Sequence, residues 1–403
     1  MWAKTSPTAA PRLSIVTPTR NAPHLLDRLF DSLIRQSCNE FEHVLIDTSA
    51  DMRTQERWWR DFARQLDGRF RYARVPLPSP DMAAAFEYAF AQARGSHVCA
   101  MTHKAMWRSD AVENIHRILD RYPELPCFAF KSLYLNMDIH TVPTGVGSLP
   151  QCQFGTSWDG VAPLRFRSYD LFAENVRLFG DHGYGGPHVA THLRMPFACH
   201  AVYSAELLDR VRTRYGALVA DRFAGDSRLG FRVMDLEEDV HVFPDFEPRV
   251  SSMHSNTGAA GSQLNSWTYL CHVFETLSSE TKQIISRSPF GYLPLWCVMT
   301  YWELFSVVGE ARGQLRMEIE YPAAQVRAVL LAEIANLRNI DETLRAGLRS
   351  HVDAIVSRLE GAYCGGGSDA SRFSTVFRYI RLIWITRFTV IASDSEAIQG
   401  SGT

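Results

Sequence analysis

Cysteine is sparse in this 403-residue chain: eight residues, at positions 38, 99, 127, 152, 199, 271, 297 and 364, with no Cys-x-x-Cys pair. That scatter excludes a zinc ribbon and a disulfide framework, and the eight read as reduced core residues. Excess charge of either sign is missing as well, since 42 Lys and Arg face 44 Asp and Glu for a formal net charge of −2. Without a broad cationic field, a general nucleic-acid binder is excluded. Met1 to Arg12 holds no apolar stretch of the kind a secretory signal needs. Long hydrophobic runs are equally lacking. The most apolar window, Phe290–Val308, carries Pro294 and Glu303 and so favours a buried or interfacial helix over a membrane span. These absences point to the cytoplasm, with contact to the inner membrane surface left open.

What is present is apolar substance, 46% of residues, enough for a sizeable packed core. At roughly 150 residues per domain, the length predicts two to three domains. Leu13–Thr17 is a short apolar run ended by Pro18, the pattern of a buried strand. His24–Gln36 then sets Leu25, Leu26, Leu29, Phe30 and Leu33 on one helical face. Strands follow at Glu42–Asp47, Phe70–Val75 and Val98–Met101, and helices at Trp58–Leu66, Met82–Ala93 and Asp110–Arg121. Such alternation predicts a parallel, helix-covered α/β sheet of Rossmann-like kind. Ligands of these sheets bind at the carboxyl ends of the strands, so Thr17, Asp47 and Thr102–Lys104 are expected to share one crevice.

Beyond about Val142 the alternation gives way to a Gly-, aromatic- and His-bearing stretch that reaches Pro196, a pattern typical of binding loops. Ala205–Arg214 and Ser227–Met234 read as helices and Val240–Phe243 as a strand. After Gly261 helical periodicity dominates, chiefly over Ala323–Leu359. The final segment, Phe373–Ile391, interleaves Arg378, Arg381 and Arg387 with Phe377, Tyr379, Ile383 and Trp384. It suits either a helix docked on the protein or peripheral contact with an anionic membrane.

Three stretches carry a family resemblance. Leu13-Ser14-Ile15-Val16-Thr17-Pro18-Thr19-Arg20-Asn21, followed by Val44-Leu45-Ile46-Asp47, is similar to the opening of the family 2 glycosyltransferases of GT-A fold. Ala93-Arg94-Gly95 and Met106-Trp107-Arg108-Ser109-Asp110 resemble the segments flanking that family's metal motif. Gly225-Asp226-Ser227-Arg228-Leu229-Gly230-Phe231-Arg232, then Phe243-Pro244-Asp245 and His254, resemble its acid-bearing helix, return strand and late histidine. The resemblance covers roughly Leu13 to His254. It implies a GT-A-like domain over 1–260, with a nucleotide-binding half 1–110 and an acceptor half 111–260, followed by a helical region 261–403.

The resemblance further implies an inverting transfer from a nucleotide-sugar, a UDP-sugar being favoured, to a carbohydrate or other hydroxyl acceptor. That acceptor is either a small natural product or a cell-surface glycan. Asp47 would hold the nucleoside, with Thr17, Thr19 and Asn21 lining the same pocket; read alone, Asp47 better suits a turn or cap carboxylate. Asp226 would take the acceptor proton. The family's Glu-Asp pair reads Gly225-Asp226 here, so the assisting carboxylate is absent. Its Asp-x-Asp metal motif falls on Thr102-His103-Lys104, which places a divalent ion (Mg²⁺ or Mn²⁺) in doubt. Two outcomes follow: Lys104, with His103, supplies positive charge at the diphosphate, or the chain is a non-catalytic GT-A-like binding or scaffolding subunit. His254 matches a residue able to ligate metal or contact phosphate. Trp158, Asp159, His182 and Arg232 are expected on the acceptor side, where an aromatic face and polar tips suit a sugar ring. His188-x3-His192 has zinc-like spacing, but no third ligand is marked. Asp221, Asp235, Glu237, Glu238 and Asp239 read as a solvated acidic face.

Overall fold

The computed structural model describes residues 10–63, 66–77, 82–135, 157–182, 194–219, 225–252, 267–275, 282, 285, 290–291, 293–317, 319 and 322–364. Apolar runs without alternation become strands buried on both faces. β1 (Leu13–Thr19) and β2 (Phe41–Asp47) are almost wholly buried along their length. They pair in parallel, Leu13 opposite Phe41 and Thr19 opposite Asp47. β3 (Phe70–Arg74) extends the sheet on one side of this pair and β4 (His97–Ala100) on the other, both parallel. Between them run α1 (Leu26–Ile34), entered through a 3-10 turn at Pro23–Leu25, α2 (Arg53–Arg57) with a wider π-helical turn over Trp58–Phe62, and α3 (Met82–Ala91).

The second half departs from the expected all-parallel pattern. A small antiparallel partner, β5 (Ala105–Trp107), and α4 (Ala111–Arg121) lead into β6 (Cys127–Phe130) and β7 (Ser132–Leu135). β8 (Leu164–Arg167) and α5 (Ser168–His182) come next, then β9 (Ala201–Ser204), α6 (Ala205–Tyr215), α7 (Gly225–Leu236), β10 (Asp239–Phe243) and β11 (Arg249–Ser252). Among the described residues the main sheet runs β3-β2-β1-β4-β9-β6-β10-β8, and a three-stranded sheet runs β5-β11-β7. β9 is antiparallel to both of its neighbours, β4 and β6, and β8 is antiparallel to β10. The mixed sheet corrects the parallel expectation. Ala201–Ser204 is only four residues long and its direction is set by the chain that returns to it, which periodicity cannot show.

One face of the sheet packs on α1 and α4 and the other on α3, α6 and α7. A third core joins α5, α7 and β10 to the C-terminal helices α8 (Trp267–Glu275), α9 (Trp296–Glu310), α10 (Ala323–Asn336) and α11 (Glu342–Cys364). No described helix is long and apolar enough to cross a membrane. The apolar window expected over Phe290–Val308 is mostly α9, buried against this core. Phe373–Ile391 lies outside the described residues. Cys38, Cys99, Cys127, Cys199, Cys271 and Cys297 are free thiols, all buried but the half-buried Cys38.

His43, at the centre of β2, is completely buried between Phe30 and Phe70, with its Nε2 3.0 Å from Thr17 Oγ1. Burial pushes its imidazole from 6.5 down to about 3. The unfolded chain therefore binds this proton near pH 6.5 and the folded chain only near 3. Stability from His43 is complete above pH 6.5 and drains away as the pH falls toward 3. The expected loss is on the order of 4–5 kcal/mol across that window. Urea unfolding between pH 7.5 and 4 should show this slope, and His43→Gln should flatten it.

Candidate active site

The parallel strands β2, β1 and β4 lie side by side, so their carboxyl ends deliver Asp47, Thr19 and the β4–β5 turn to one edge of the sheet. Asp47 is fully buried. Its Oδ1 accepts the Ser49 N–H at 2.9 Å, an Asx turn, and its Oδ2 accepts the Tyr72 hydroxyl at 2.7 Å. Burial and that bond hold the Tyr72 phenol far above its ordinary value, so it stays a donor. Tyr72 is in turn stacked on Trp58, ring centres 5.3 Å apart. A carboxylate has about four acceptor positions, so two of Asp47's are already filled by the fold.

The end of β1 is shaped by a strained turn. Asn21 has φ 50, in the left-handed region that costs a non-glycine residue, and its N–H donates to Ser49 Oγ at 2.8 Å. Arg20 ties this turn to the segments after β2 and β3, donating to the carbonyls of Thr48 at 2.6 Å and Leu77 at 2.9 Å. Thr17 Oγ1 faces His43 inside the sheet, whereas Thr19 Oγ1 is buried without a hydrogen-bond partner. His103 Nδ1 lies 3.3 Å from the Pro18 carbonyl, tying the β4–β5 turn to β1. Lys104 follows in that turn, half-buried and without an ion pair among the described residues. Burial holds its ammonium below the ordinary lysine value. The turn Thr102-His103-Lys104 offers no carboxylate and instead carries a cation. Hard divalent ions need oxygen ligands, so these residues do not fit one.

α7 feeds β10 through a short turn, and β10 runs parallel to β6. A helix that feeds a parallel strand in this way runs against it, so the first turn of α7 lies toward the carboxyl ends of the sheet. Asp226 belongs to that turn; its side chain lies outside the described residues. Gly230 brings the helix close: a Cβ there would sit 2.5 Å from Phe197 Cδ1 and 2.8 Å from the Pro196 carbonyl oxygen. Arg228 is fully buried and donates to Ser306 Oγ at 2.7 Å, with Glu303 and Glu310 3.4 and 3.3 Å away. Arg232 is buried against Tyr215, paired with Glu310 at 2.9 Å and donating to the Ala217 carbonyl at 2.8 Å. Its guanidinium is thus turned to α9 rather than outward.

The other expected acceptor residues are dispersed. Trp158 is buried edge-on to Phe243 with Arg117 and Arg121 over its ring, and its N–H donates to the Val161 carbonyl at 2.8 Å. No ring face is left for a sugar. Asp159 closes the neighbouring turn by accepting the Val161 N–H at 3.1 Å. The backbone of His182 ends α5, but its side chain lies outside the described residues, as do His188, His192 and His254.

Several residues that matter here escaped a one-dimensional reading. Glu42 is buried, takes the Ser14 hydroxyl and the Arg94 N–H on one oxygen at 2.6 and 2.7 Å, and pairs with Arg71 on the other at 2.8 Å. Ala93-Arg94-Gly95 is thereby locked to β1, and a Cβ at Gly95 would lie 2.7 Å from the Ser14 nitrogen. Asp235, expected on a solvated face, is buried. It accepts the N–H groups of Arg312, Gly313 and Leu315 at 2.9, 3.1 and 2.8 Å, together with the Tyr215 hydroxyl. Its three backbone partners lie almost eighty residues away, beyond the reach of local pattern.

The strand-end turns after β1, β2 and β4 and the first turn of α7 thus share one edge of a mixed, helix-covered α/β sheet. Residues 14–131 match the family model described as glycosyl transferase family 2. No curated protein sequence matches the chain. Among solved structures, S. aureus TarS 1-349 in complex with UDP is similar at 15% identity, covering 88% of this chain and 92% of that one, with a TM-score of 0.42. TarS 1-349 in complex with UDP-GlcNAc is similar at 13% identity, over 87% of this chain and 91% of that one, with a TM-score of 0.43. Mannosyltransferase PcManGT from Pyrobaculum calidifontis, in complex with GDP-Man and Mn2+, is similar at 16% identity over 88% of each chain, with a TM-score of 0.41.

Proposed function

We propose that the chain transfers a sugar from a nucleotide-sugar, a UDP-sugar in the first instance, to an acceptor hydroxyl with inversion at the anomeric carbon. The observation that carries this reading is the half-buried lysine in the β4–β5 turn, beside strand ends already organised around Asp47. Asp47 with Thr17, Thr19 and Asn21 forms the nucleoside end of the site, the first two through the strand they belong to. Lys104 and His103 stand at the diphosphate. The acceptor oxygen attacks the anomeric carbon, its proton passes to the Asp226 carboxylate, and the bond to the β-phosphate oxygen breaks with its electron pair leaving on UDP. Fixed positive charge at that oxygen stabilises the departing diphosphate without a metal. The acceptor is a carbohydrate or other hydroxyl compound.

Calorimetric titration with UDP, with and without Mg²⁺ or Mn²⁺, followed by turnover of UDP- and GDP-sugars, tests the reading. Binding of UDP without a divalent ion and turnover of a UDP-sugar are expected. Asp226→Asn should lower the chemical step roughly a hundredfold or more while donor binding is kept. Near-normal turnover in that variant, or indifference to every nucleotide, contradicts the assignment.

A further inference from the structure

At the opposite pole of the sheet, the segment entering β2 meets α4 in a different kind of cluster. Cys38, Glu40 and His116 each offer one ligand atom, and the three atoms lie within 4.8 Å of one another. Cys38 is half-buried, Glu40 exposed and His116 buried, at 7% exposure. The Nε2 of His116 lies 3.0 Å from the Glu40 carbonyl oxygen, which can only accept. Nε2 therefore carries the ring proton, and the lone pair belongs to Nδ1, which is buried without a hydrogen-bond partner. The buried imidazole that meets the thiol and the carboxylate therefore keeps an unused lone pair on Nδ1.

The two elements are already held together. Ser37 donates its N–H to the Ser109 carbonyl at 2.7 Å and its hydroxyl to Glu113 at 2.6 Å. Gln36 donates to the Arg108 carbonyl at 2.6 Å and accepts the Val112 N–H at 3.0 Å. Arg12, whose charge acts on His116, is paired with Asp120 at 2.6 Å. Tetrahedral zinc bonded to sulfur, nitrogen and oxygen keeps its ligand atoms about 3.5 Å apart, so the three side chains close on an ion by small rotations.

We propose that Cys38, Glu40 and His116 form a binding site for one borderline-soft divalent cation, zinc(II), with a fourth position open to water. Thiolate and carboxylate together neutralise the ion. The ligand set differs in kind from the oxygen ligands that Mg²⁺ or Mn²⁺ prefers. The seven residues of β2 separate this pole from Asp47, roughly 20 Å along the strand. The ion therefore ties the β2 entry to α4 and takes no part at the donor end.

Cadmium is the probe, because a thiolate bound to it gives an ultraviolet charge-transfer band. Metal-stripped full-length protein, titrated with Cd²⁺ in a non-thiol reductant, should develop that band to one equivalent, and Zn²⁺ should abolish it by competition. Cys38→Ser should remove the band, while Glu40→Gln and His116→Gln should weaken Cd²⁺ binding at least about tenfold. Zn²⁺ should raise the thermal midpoint of the parent protein and leave that of Cys38→Ser unchanged. Cys38 is half-exposed, so its serine variant folds and keeps UDP affinity, separating this site from the donor end. No band, or one that persists in Cys38→Ser through the other cysteines, overturns the proposal.

Discussion

Lys104→Ala should lower turnover at least about a hundredfold, while a chelator leaves the parent enzyme near its full rate. The physical reason lies in the placement of charge. In the proposed reaction the diphosphate leaving group gathers negative charge as its bond to the sugar breaks, and the β4–β5 turn would set a cation beside it rather than a carboxylate. Burial holds the Lys104 ammonium below the ordinary lysine value. A bound diphosphate supplies an ion pair and raises the value again. Binding of UDP should therefore take up protons on the alkaline side, and its affinity should fall as the pH climbs through the lysine's lowered value. Lys104→Ala should lose that pH dependence along with the rate. Lys104→Arg keeps the charge but replaces a compact ammonium by a planar fork, so partial recovery is expected. Strict dependence on Mn²⁺, or a Lys104→Ala variant of normal rate, would contradict this account.

The second large effect concerns the helix that carries Asp226. Glu303→Leu should destabilise the protein by about 3–5 kcal/mol, because it strips one carboxylate from an Arg228 guanidinium that has no exposure to water. Arg228→Leu should cost a similar amount by leaving Glu303, itself 3% exposed, without its cation. The double variant Arg228→Leu/Glu303→Leu should cost less than either single change, since no uncompensated charge remains in the core. Urea unfolding of the four proteins measures the cycle. Additive single effects would mean that the two charges do not depend on each other. The same cluster explains why α9 is no membrane span: Glu303, Ser306 and Glu310 recur on the one helical face that meets the arginines of α7.

How much of this was legible beforehand follows from the range of each interaction. β1, β2, α1 and β4 are written in runs of neighbouring residues, and their observed limits depart from the periodicity reading by only a few residues. The helix read over Trp58–Leu66 instead begins at Arg53 and turns π-helical at Trp58, a shift that local pattern does not encode. Arg232 and Trp158 look available for a ligand in a string of letters. In space Glu310 and the Ala217 carbonyl engage the first, and Phe243, Arg117 and Arg121 enclose the second. Asp235 shows the converse: an acid among acids in sequence, it is buried because three backbone N–H groups from beyond α9 and a tyrosine hydroxyl converge on it.

Local pattern sets the alternating elements of the first 130 residues, the order of the three motifs, and the absence of a carboxylate at Thr102-His103-Lys104, because each is a property of residues near one another in the chain. Tertiary structure alone decided the direction of β9, the joining of the C-terminal helices to the core of α5 and α7, the Glu42 and Asp235 knots, and the meeting of Cys38 and Glu40 with His116. Each of these depends on groups distant in sequence coming within hydrogen-bonding, packing or ligating distance, and only the closed fold brings them there.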